Sequence, residues 1–565
     1  MCSKKIFTPG SRFGDLSNST SRLQKSRMTA RNSNDFVNQK RLKEGAFNNI
    51  FLASIFEHVA RKNLKQKYQS SFPYCHLSIY PACNDFRLRG VLKEVKEQLN
   101  ATFKETDLFK VYQTCDLCGF SSKLKQTPEL LALRSSIYSS EFRKLLSDIS
   151  GCGILSDRVD CSCNIYCQGG HLLCHDDVIG TRAISFILYL TDPEETWTET
   201  DGGALELFDK EEGEPLPRTY PSKFILPNWN KFVFFEVKPG ESFHAIQEIF
   251  GENKPRISIS GWFHLTDSKF MLTKHASREQ LSNKADKIFN PTNRISRSIY
   301  ELSNIYELSS KDISFLSGWI SAEYLTRENI SAIRKNFLSD KCVQLRCFLK
   351  PAISENINAF LFAKMRTGKS AGSSRKSTRN WKVVGPPHKH RYLKLENRGK
   401  YFLNDVEVCS TFFDLEEFLF KSSAYNRWLL AVTGQIVSES KSAVRNFRRG
   451  QDYTIAHHDS DSKVSQLQST LCFVKADSIN EHRAWMSGNF GGFECFIPTS
   501  PEVEDIAATA EVYDTTSNEE QLISVQASFN TLSLVQNKEH DFYFIKYLSK
   551  FAPSDRYDVH FCYNI

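Results

Sequence analysis

Between about residue 154 and residue 275 the chain is written in short apolar runs separated by turn residues: 163–167, 183–190, 204–208, 231–237 and 256–263. Runs of this length, bounded by Gly, Asn, Asp and Pro, are the signature of strands. Asp201-Gly202-Gly203 supplies a turn ahead of Ala204-Leu205-Glu206-Leu207-Phe208. No long helical pattern lies between these runs. A set of short strands without intervening helices closes into a sandwich or a jelly-roll barrel.

Other patterns flank this block. Residues 1–44 are rich in Ser, Asn, Lys and Arg and carry little hydrophobic periodicity, as a disordered tail does. Arg22, Lys25, Arg27, Arg31 and the run Lys40-Arg41-Leu42-Lys43 fit either a nuclear-targeting or nucleic-acid patch or a solvated basic tail. Residues 50–68 and 89–102 read as helices, with Val91, Leu92, Val95 and Leu99 on one face. Thr127-Pro128-Glu129 predicts a helix start, and apolar spacing from Leu130 carries the helical region to Gly151. The first domain is set at 45–275, followed by a polar linker over 276–310. A second domain over 311–565 opens with helical pattern to about 365, resumes it at 414–435 and continues as short strands from 452. Its Gly/Ser-rich basic loop, 366–380, contains Gly368-Lys369-Ser370, which is no P-loop because position 363 is Ala. The fold class expected is mainly β with flanking helices, α+β in arrangement.

At 565 residues the chain exceeds a single core. Its net charge of +8 is modest and permits an acidic or ribonucleoprotein partner. No run of about 18 apolar residues predicts a membrane span, and no apolar segment follows Met1-Cys2-Ser3-Lys4-Lys5 as a secretory signal would require. The 16 cysteines are therefore read as reduced thiols of a cytoplasmic or nuclear protein. Cys115-Asp116-Leu117-Cys118 lacks a second CxxC at zinc-site spacing. Cys161, Cys163, Cys167 and Cys174 read as small buried hydrophobes.

One constellation in the strand block carries chemistry. His175-Asp176-Asp177 precedes a hydrophobic strand, and a second histidine, His244, precedes another. Two imidazoles and one carboxylate on one face suit Fe(II), leaving open positions for a bidentate 2-oxo acid and dioxygen. Spacing two on a strand end would aim His175 and Asp177 to one side and Asp176 away. Arg256 and Ser258 share a face of the next strand, where a guanidinium can grip a carboxylate with two parallel hydrogen bonds. Tyr166 and Tyr189, on the strands either side of the motif, can donate phenolic hydrogen bonds to the same acid.

Longer segments extend this match. Leu172–Asp177, Ile184–Leu190, Trp229–Val237 and Ser258–His264 resemble the 2-oxoglutarate- and Fe(II)-dependent prolyl hydroxylases that modify a small-subunit ribosomal protein, the ribosomal prolyl 3-hydroxylase family. The resemblance is densest over about 107–265 and continues more weakly through Gly385-Pro386-Pro387 and Tyr453-Thr454-Ile455. It implies two double-stranded β-helix (jelly-roll) domains in tandem, with catalysis in the first. It implies His175, Asp177 and His244 as metal ligands, Arg256 as the co-substrate arginine, and Tyr166 and Tyr189 as tyrosines around the co-substrate, where the shared strand face also puts Ser258. Iron(II), 2-oxoglutarate and dioxygen would be used, with L-ascorbate as a reductant of over-oxidised iron. The implied substrate is a proline at the decoding centre, with effects on translation accuracy, termination and stress responses, and translation termination factors as further partners.

The second domain carries its own HxD, His457-His458-Asp459. No distal histidine is evident: Phe544-Ile545-Lys546-Tyr547 offers Tyr547, and His540 and His560 fall outside that register. Arg556 could echo the co-substrate arginine. A second iron site and a decayed duplicate acting as scaffold are both open, with the duplicate favoured. Two alternative functions also stand: an oxygenase acting on another protein or a nucleic acid, and a non-catalytic adaptor of the translation machinery.

Overall fold

The structure, a computed structural model, describes residues 49–117, 127–214, 216–266, 293–301, 306–366, 380–396, 406–456, 464–498, 522–538 and 541–565. The basic tail, Cys118, most of the linker, loop residues 367–379, His457-His458-Asp459 and His540 lie outside them.

The first unit is one antiparallel sheet with helices on one face. Its strands are β1 (His76–Ile79), β2 (Thr102–Glu105), β3 (Phe109–Gln113), β4 (Leu155–Tyr166), β5 (His171–His175), β6 (Arg182–Tyr189), β7 (Leu205–Leu207), β8 (Lys223–Ile225), β9 (Phe232–Glu236), β10 (His244–Ile246) and β11 (Arg256–Leu265). They run in the order β1-β9-β6-β11-β4-β3-β5-β10-β7-β8, with β2 paired to β3. The packing shows that the sheet curls on itself. Ile187 and Tyr189 of β6 and Val233 and Phe235 of β9 share a buried cluster with Leu205, Leu207 and Ile225, from strands at the far end of the order. Alternate residues point the other way: Ile184, Phe186, Leu188, Phe232 and Phe234 pack under the helices.

Four helices cover that outer face: α1 (His58–Gln69), α2 (Asp85–Gln98), α3 (Pro128–Ile137) and α4 (Ser140–Ser150). Leu88, Val91, Leu92 and Val95 form the buried face of α2. The long helical region expected after Thr127 is two helices. The first ends at Ile137 with Tyr138 as its C-cap; Ser139 caps the second by accepting from Phe142 N at 3.1 Å, and Gly151 closes it at φ +76°. Pro128 opens α3 as its spacing predicts, but Thr127 makes no side-chain cap. Glu94 of α2 caps it instead, its carboxylate accepting from Glu129 N (3.1 Å) and Leu130 N (2.7 Å). An acid from a neighbouring helix satisfies two orphan donors and meets the positive helix end at once.

The second unit has its own core, in which Trp428, Tyr425 and Phe412 pack against Leu471, Leu532 and Val559. Its strands are β12 (Asn293–Arg294), β13 (Cys342–Arg346), β14 (Trp381–Val384), β15 (His390–Leu395), β16 (Glu439–Phe447), β17 (Tyr453–Thr454), β18 (Gln466–Phe473), β19 (Glu494–Ile497), β20 (Ile523–Val525), β21 (Thr531–Asn537), β22 (Phe542–Ile545) and β23 (Arg556–Asn564). A large sheet runs β13-β21-β18-β23-β16-β15-β14, and a small one runs β20-β19-β22. The helical stretch expected to 365 is interrupted by β13 at Cys342–Arg346, and two further strands, β14 and β15, together with β16, precede residue 452. Among the described residues there is no disulfide. Cys161, Cys163 and Cys174 are buried free thiols and Cys167 is half-buried. No described helix is long and apolar enough to cross a membrane.

Candidate metal centre and co-substrate pocket

His175 ends β5 and His244 begins β10, and the two residues are direct cross-strand partners. Their rings lie 4.2 Å apart, centre to centre. Each Nδ1 faces a backbone carbonyl two residues earlier: Leu173 O for His175 and Ser242 O for His244, both at 2.8 Å. A carbonyl only accepts, so each Nδ1 is the protonated nitrogen and each Nε2 keeps a lone pair for a ligand. Both Nε2 atoms converge on Asp177, at 3.2 Å from Oδ1 and 3.3 Å from Oδ2. The three ligand atoms lie within 4.8 Å of one another, and this is the one such group among the described residues.

Asp177 arrives differently from the strand alternation expected. β5 stops at His175, and Asp177 has φ +60°, a left-handed conformation that Asp tolerates better than most residues. A turn, not a strand, swings the carboxylate between the imidazoles. Ser242 stitches this turn down by donating its hydroxyl to Asp176 O at 3.0 Å. Burial alone would raise the Asp177 carboxyl, but His244 and His175 outweigh it and hold it well below the usual range. The group is therefore a carboxylate at neutral pH, the form that binds a cation. For His175, burial acts to lower the imidazole, and the Asp177 carboxylate overcomes it, leaving a net rise.

Trp262 completes the arrangement and was not among the expected site residues. Its Nε1 donates to Asp177 Oδ2 at 2.8 Å, and the Arg182 guanidinium lies 3.6 Å over its ring. The signal was present: Trp262 has the same strand parity on β11 as Arg256 and Ser258.

The pocket beyond is set by register. Arg256 pairs with Tyr166 across β11 and β4, and Ser258 pairs with Tyr189 across β11 and β6. Arg256 is fully buried. Its Nε donates to Gly203 O (3.0 Å) and its Nη1 to Ser258 Oγ (3.3 Å). Among the described residues its Nη2 and the buried Tyr189 Oη bond to no third residue; burial raises the Tyr189 phenol, and the guanidinium beside it pulls the other way. The guanidinium carbon stands 5.2 Å from the Tyr166 ring centre and 4.9 Å from that of Tyr189. Burial pushes the Tyr166 phenol up to about 12, with Arg256 pulling the other way. Gly203 is needed at this point because a Cβ there, at φ +72°, would fall 2.6 Å from Ile249 Cδ1 and 3.3 Å from Arg256 Cδ. A buried cation with no carboxylate at ion-pair distance is expensive unless an anion joins it. The Nη2 and phenol are donors facing that need, so the residues present fit a dicarboxylate held beside a metal.

The second unit answers the same position otherwise. Arg556 opens β23 as Arg256 opens β11, but its guanidinium donates to Gly492 O (2.6 Å) and Glu494 (2.7 Å) and lies 3.1 Å from Asp558. Arg445 pairs with Asp558 at 2.7 Å, and Tyr543 Oη donates to Glu494 at 3.3 Å. His560 is buried and bonded to Thr470. These charges neutralise one another, so Arg556 is not free for a co-substrate. Tyr547 lies just past β22 and faces the first unit.

Comparison with known proteins agrees with this geometry. Residues 161–264 match the family described as the 2OG-Fe(II) oxygenase superfamily. Residues 311–565 match the one described as oxoglutarate and iron-dependent oxygenase degradation C-term. Fold and site thus define a 2-oxoglutarate- and iron(II)-dependent oxygenase. Among relatives, the chain is 38% identical over 511 residues to the prolyl 3,4-dihydroxylase OGFOD1 of Ostreococcus tauri, covering 86% of this chain and 94% of that one. It is 30% identical to the prolyl 3-hydroxylase OGFOD1 of Mus musculus, over 62% of this chain and 57% of that one. Against the Xenopus laevis protein of the same name it is 33% identical, over 54% and 53%. The chain belongs to the OGFOD1 family of prolyl hydroxylases.

Proposed function

We propose that this oxygenase hydroxylates a prolyl residue of a small-subunit ribosomal protein at the decoding centre, and thereby bears on translation accuracy and termination. In this reading His175, Asp177 and His244 hold Fe(II), and Arg256, Ser258, Tyr189 and Tyr166 hold 2-oxoglutarate. One observation carries it: three ligand atoms converge within 4.8 Å in the same barrel as a buried guanidinium that, among the described residues, has no carboxylate partner. When bound, iron and 2-oxoglutarate supply dioxygen activation, with loss of carbon dioxide from the co-substrate and formation of succinate. L-ascorbate serves to restore over-oxidised iron.

The chain's own part is positioning. The backbone carbonyls of Leu173 and Ser242 fix both imidazole tautomers. Trp262 limits which carboxylate oxygen of Asp177 is available. Around Tyr166 the residues Val111, Leu172, Trp197, Ile246 and Ile249 keep the pocket apolar, which strengthens the pairing of Arg256 with a carboxylate and keeps water out. The names of the relatives support a proline target, and the motifs at 172–177 and 258–264 support the ribosomal one. Termination factors are further partners in this reading.

The test is direct. The wild-type protein, titrated anaerobically with Fe(II) and 2-oxoglutarate, should give a weak visible charge-transfer band, lost in His175→Ala, Asp177→Ala and His244→Ala. Arg256→Ala should weaken 2-oxoglutarate binding about ten- to a hundredfold, the value of charged hydrogen bonds. Mass spectrometry of small-subunit ribosomal proteins should show a proline gaining one oxygen or two. A wild-type protein that forms no band and no succinate with peptide would sink the proposal.

A further inference from the structure

β10 is only three residues long, yet it carries His244. It is hydrogen-bonded on both sides to β5 and β7 of its own unit, and the residues flanking it meet the other unit. At its start, the ring of Phe243 lies 4.8 Å from that of His388. Beyond its end, Glu248 is 1% exposed. Its Oε2 accepts from Lys550 N (2.8 Å) and Tyr547 Oη (3.2 Å), and its Oε1 accepts from the Ser549 hydroxyl. Among the described residues no cation lies at ion-pair distance. Every hydrogen bond seen at the Glu248 carboxylate is thus donated by residues 547–550 of the second unit.

The backbone of Glu248 reaches the other half of the site. Its carbonyl accepts from Gly203 N at 3.2 Å, and the Gly203 carbonyl in turn accepts from Arg256 Nε. β5 is backed in the same way. His171 lies 4.4 Å from the Tyr547 ring, and Leu173, whose carbonyl holds His175 Nδ1, packs on Tyr453 and Tyr547. The 106–109 loop, whose Leu108 O accepts from Leu173 N, is gripped too. Asp107 accepts from Ala456 N at 2.8 Å, and Lys546 donates to Thr106 O.

We infer that Glu248 is a positioning residue for both halves of the centre, orienting the His244 strand and the Gly203 support of Arg256, and that residues 547–550 of the second unit hold it in place. The second unit is then part of the active site's frame, whatever else it binds. Metal geometry tolerates errors of only about half an ångström, so a three-residue strand needs such a frame. This inference rests on the reading of His175, Asp177 and His244 as a metal centre.

The test uses the full chain with Co(II) as the probe, read by its visible absorption without dioxygen, and with 2-oxoglutarate titrated in parallel. Glu248→Gln places an amide NH2 against donors. It should weaken Co(II) and 2-oxoglutarate binding by roughly tenfold, the usual effect of removing an outer support, and should alter the Co(II) spectrum. Tyr547→Phe removes one hydroxyl with little risk to folding and should move both in the same direction by a few fold. Tyr220→Phe is the control. It deletes the 3.0 Å Arg448–Tyr220 bond between the same two units, which involves neither Glu248 nor residues 547–550, and should lose thermal stability without changing Co(II) affinity or spectrum. If Glu248→Gln and Tyr547→Phe bind both ligands as the control does, the inference fails while the metal centre stands. If the wild-type protein binds no Co(II), the metal reading falls and this inference falls with it.

Discussion

Asp177 is held by three side chains and a turn. Two are imidazoles; the third is Trp262, whose indole N–H meets one of its two oxygens. That contact decides how the carboxylate presents itself, because an oxygen engaged by an indole is a poorer metal donor than its twin. Trp262→Phe keeps the ring and its packing under Arg182 but removes the donor. Metal affinity should drop by about ten- to a hundredfold, the range for outer-shell partners, with the 2-oxoglutarate dependence of the metal-loaded protein little changed. Isothermal titration with Co(II) would show this; an unchanged affinity would mean that the indole only fills space. At this scale much of the candidate site was legible. Arg256 and Ser258 share a face by strand alternation, and Trp262 was within reach of the same rule, whereas Tyr166 and Tyr189 came from their places beside the motif and from the resemblance. The placement of Asp177 was not, since a positive φ depends on the turn that the surrounding chain imposes.

Elements were legible in proportion to their length and apolarity. The central strands β6, β9 and β11 appear within a residue or two of where their apolar runs put them. β5 and β10 were expected as strands only through their histidines and drew no bounds from apolar runs, because each is short and little in its local pattern separates it from loop. The cap on α3 was misassigned for a similar reason, as its acid comes from Glu94, more than thirty positions earlier in the chain. Where β11 crosses β4 the sequence is stricter than its pattern suggests. A Cβ on Gly261 would stand 1.8 Å from Asp160 O, so the strands can approach only if that residue has no side chain. Gly261→Ala must therefore push β11 off β4. It should destabilise the protein by about 3 kcal/mol or more, toward the severe end for single substitutions, and lower 2-oxoglutarate affinity because Arg256 and Trp262 ride on the same strand. Denaturant unfolding would measure it, and a loss under about 1 kcal/mol would show that the strands can part without consequence.

On the scale of the whole molecule, the seam between the units is polar, buried and sensitive to acid. His171 is buried there beside Tyr547, and burial, reinforced by Lys546, holds its imidazole well below the ordinary value. His388, with Nδ1 shut off from solvent, is lowered to about 3, again by burial first and Lys389 second. Below pH 6.5 the unfolded chain takes up protons at these positions while the folded chain does not. Stability therefore rises with pH across that window and is lost as pH falls below 6.5. Each histidine contributes on the order of 1–2 kcal/mol between pH 6.5 and 5. His171→Phe should be measurably less acid-labile than the wild-type protein when unfolding at pH 7 and pH 5 is compared; an identical loss in both would remove His171 from the account. None of this seam was visible in the sequence, because its partners meet only through the tertiary structure.

The Glu248 carboxylate adds a matter of timing. Its backbone donor, Lys550, lies 302 positions further along the chain. At a synthesis rate of about 5–20 residues per second the ribosome needs roughly 15–60 s to bridge that gap. For that interval the nascent first unit holds an acid made for a partner not yet translated. With Glu248 as the positioning residue inferred above, the proposed metal site would reach its final shape only after the second unit has emerged and docked, and loading with metal would belong to the finished chain and not to the growing one.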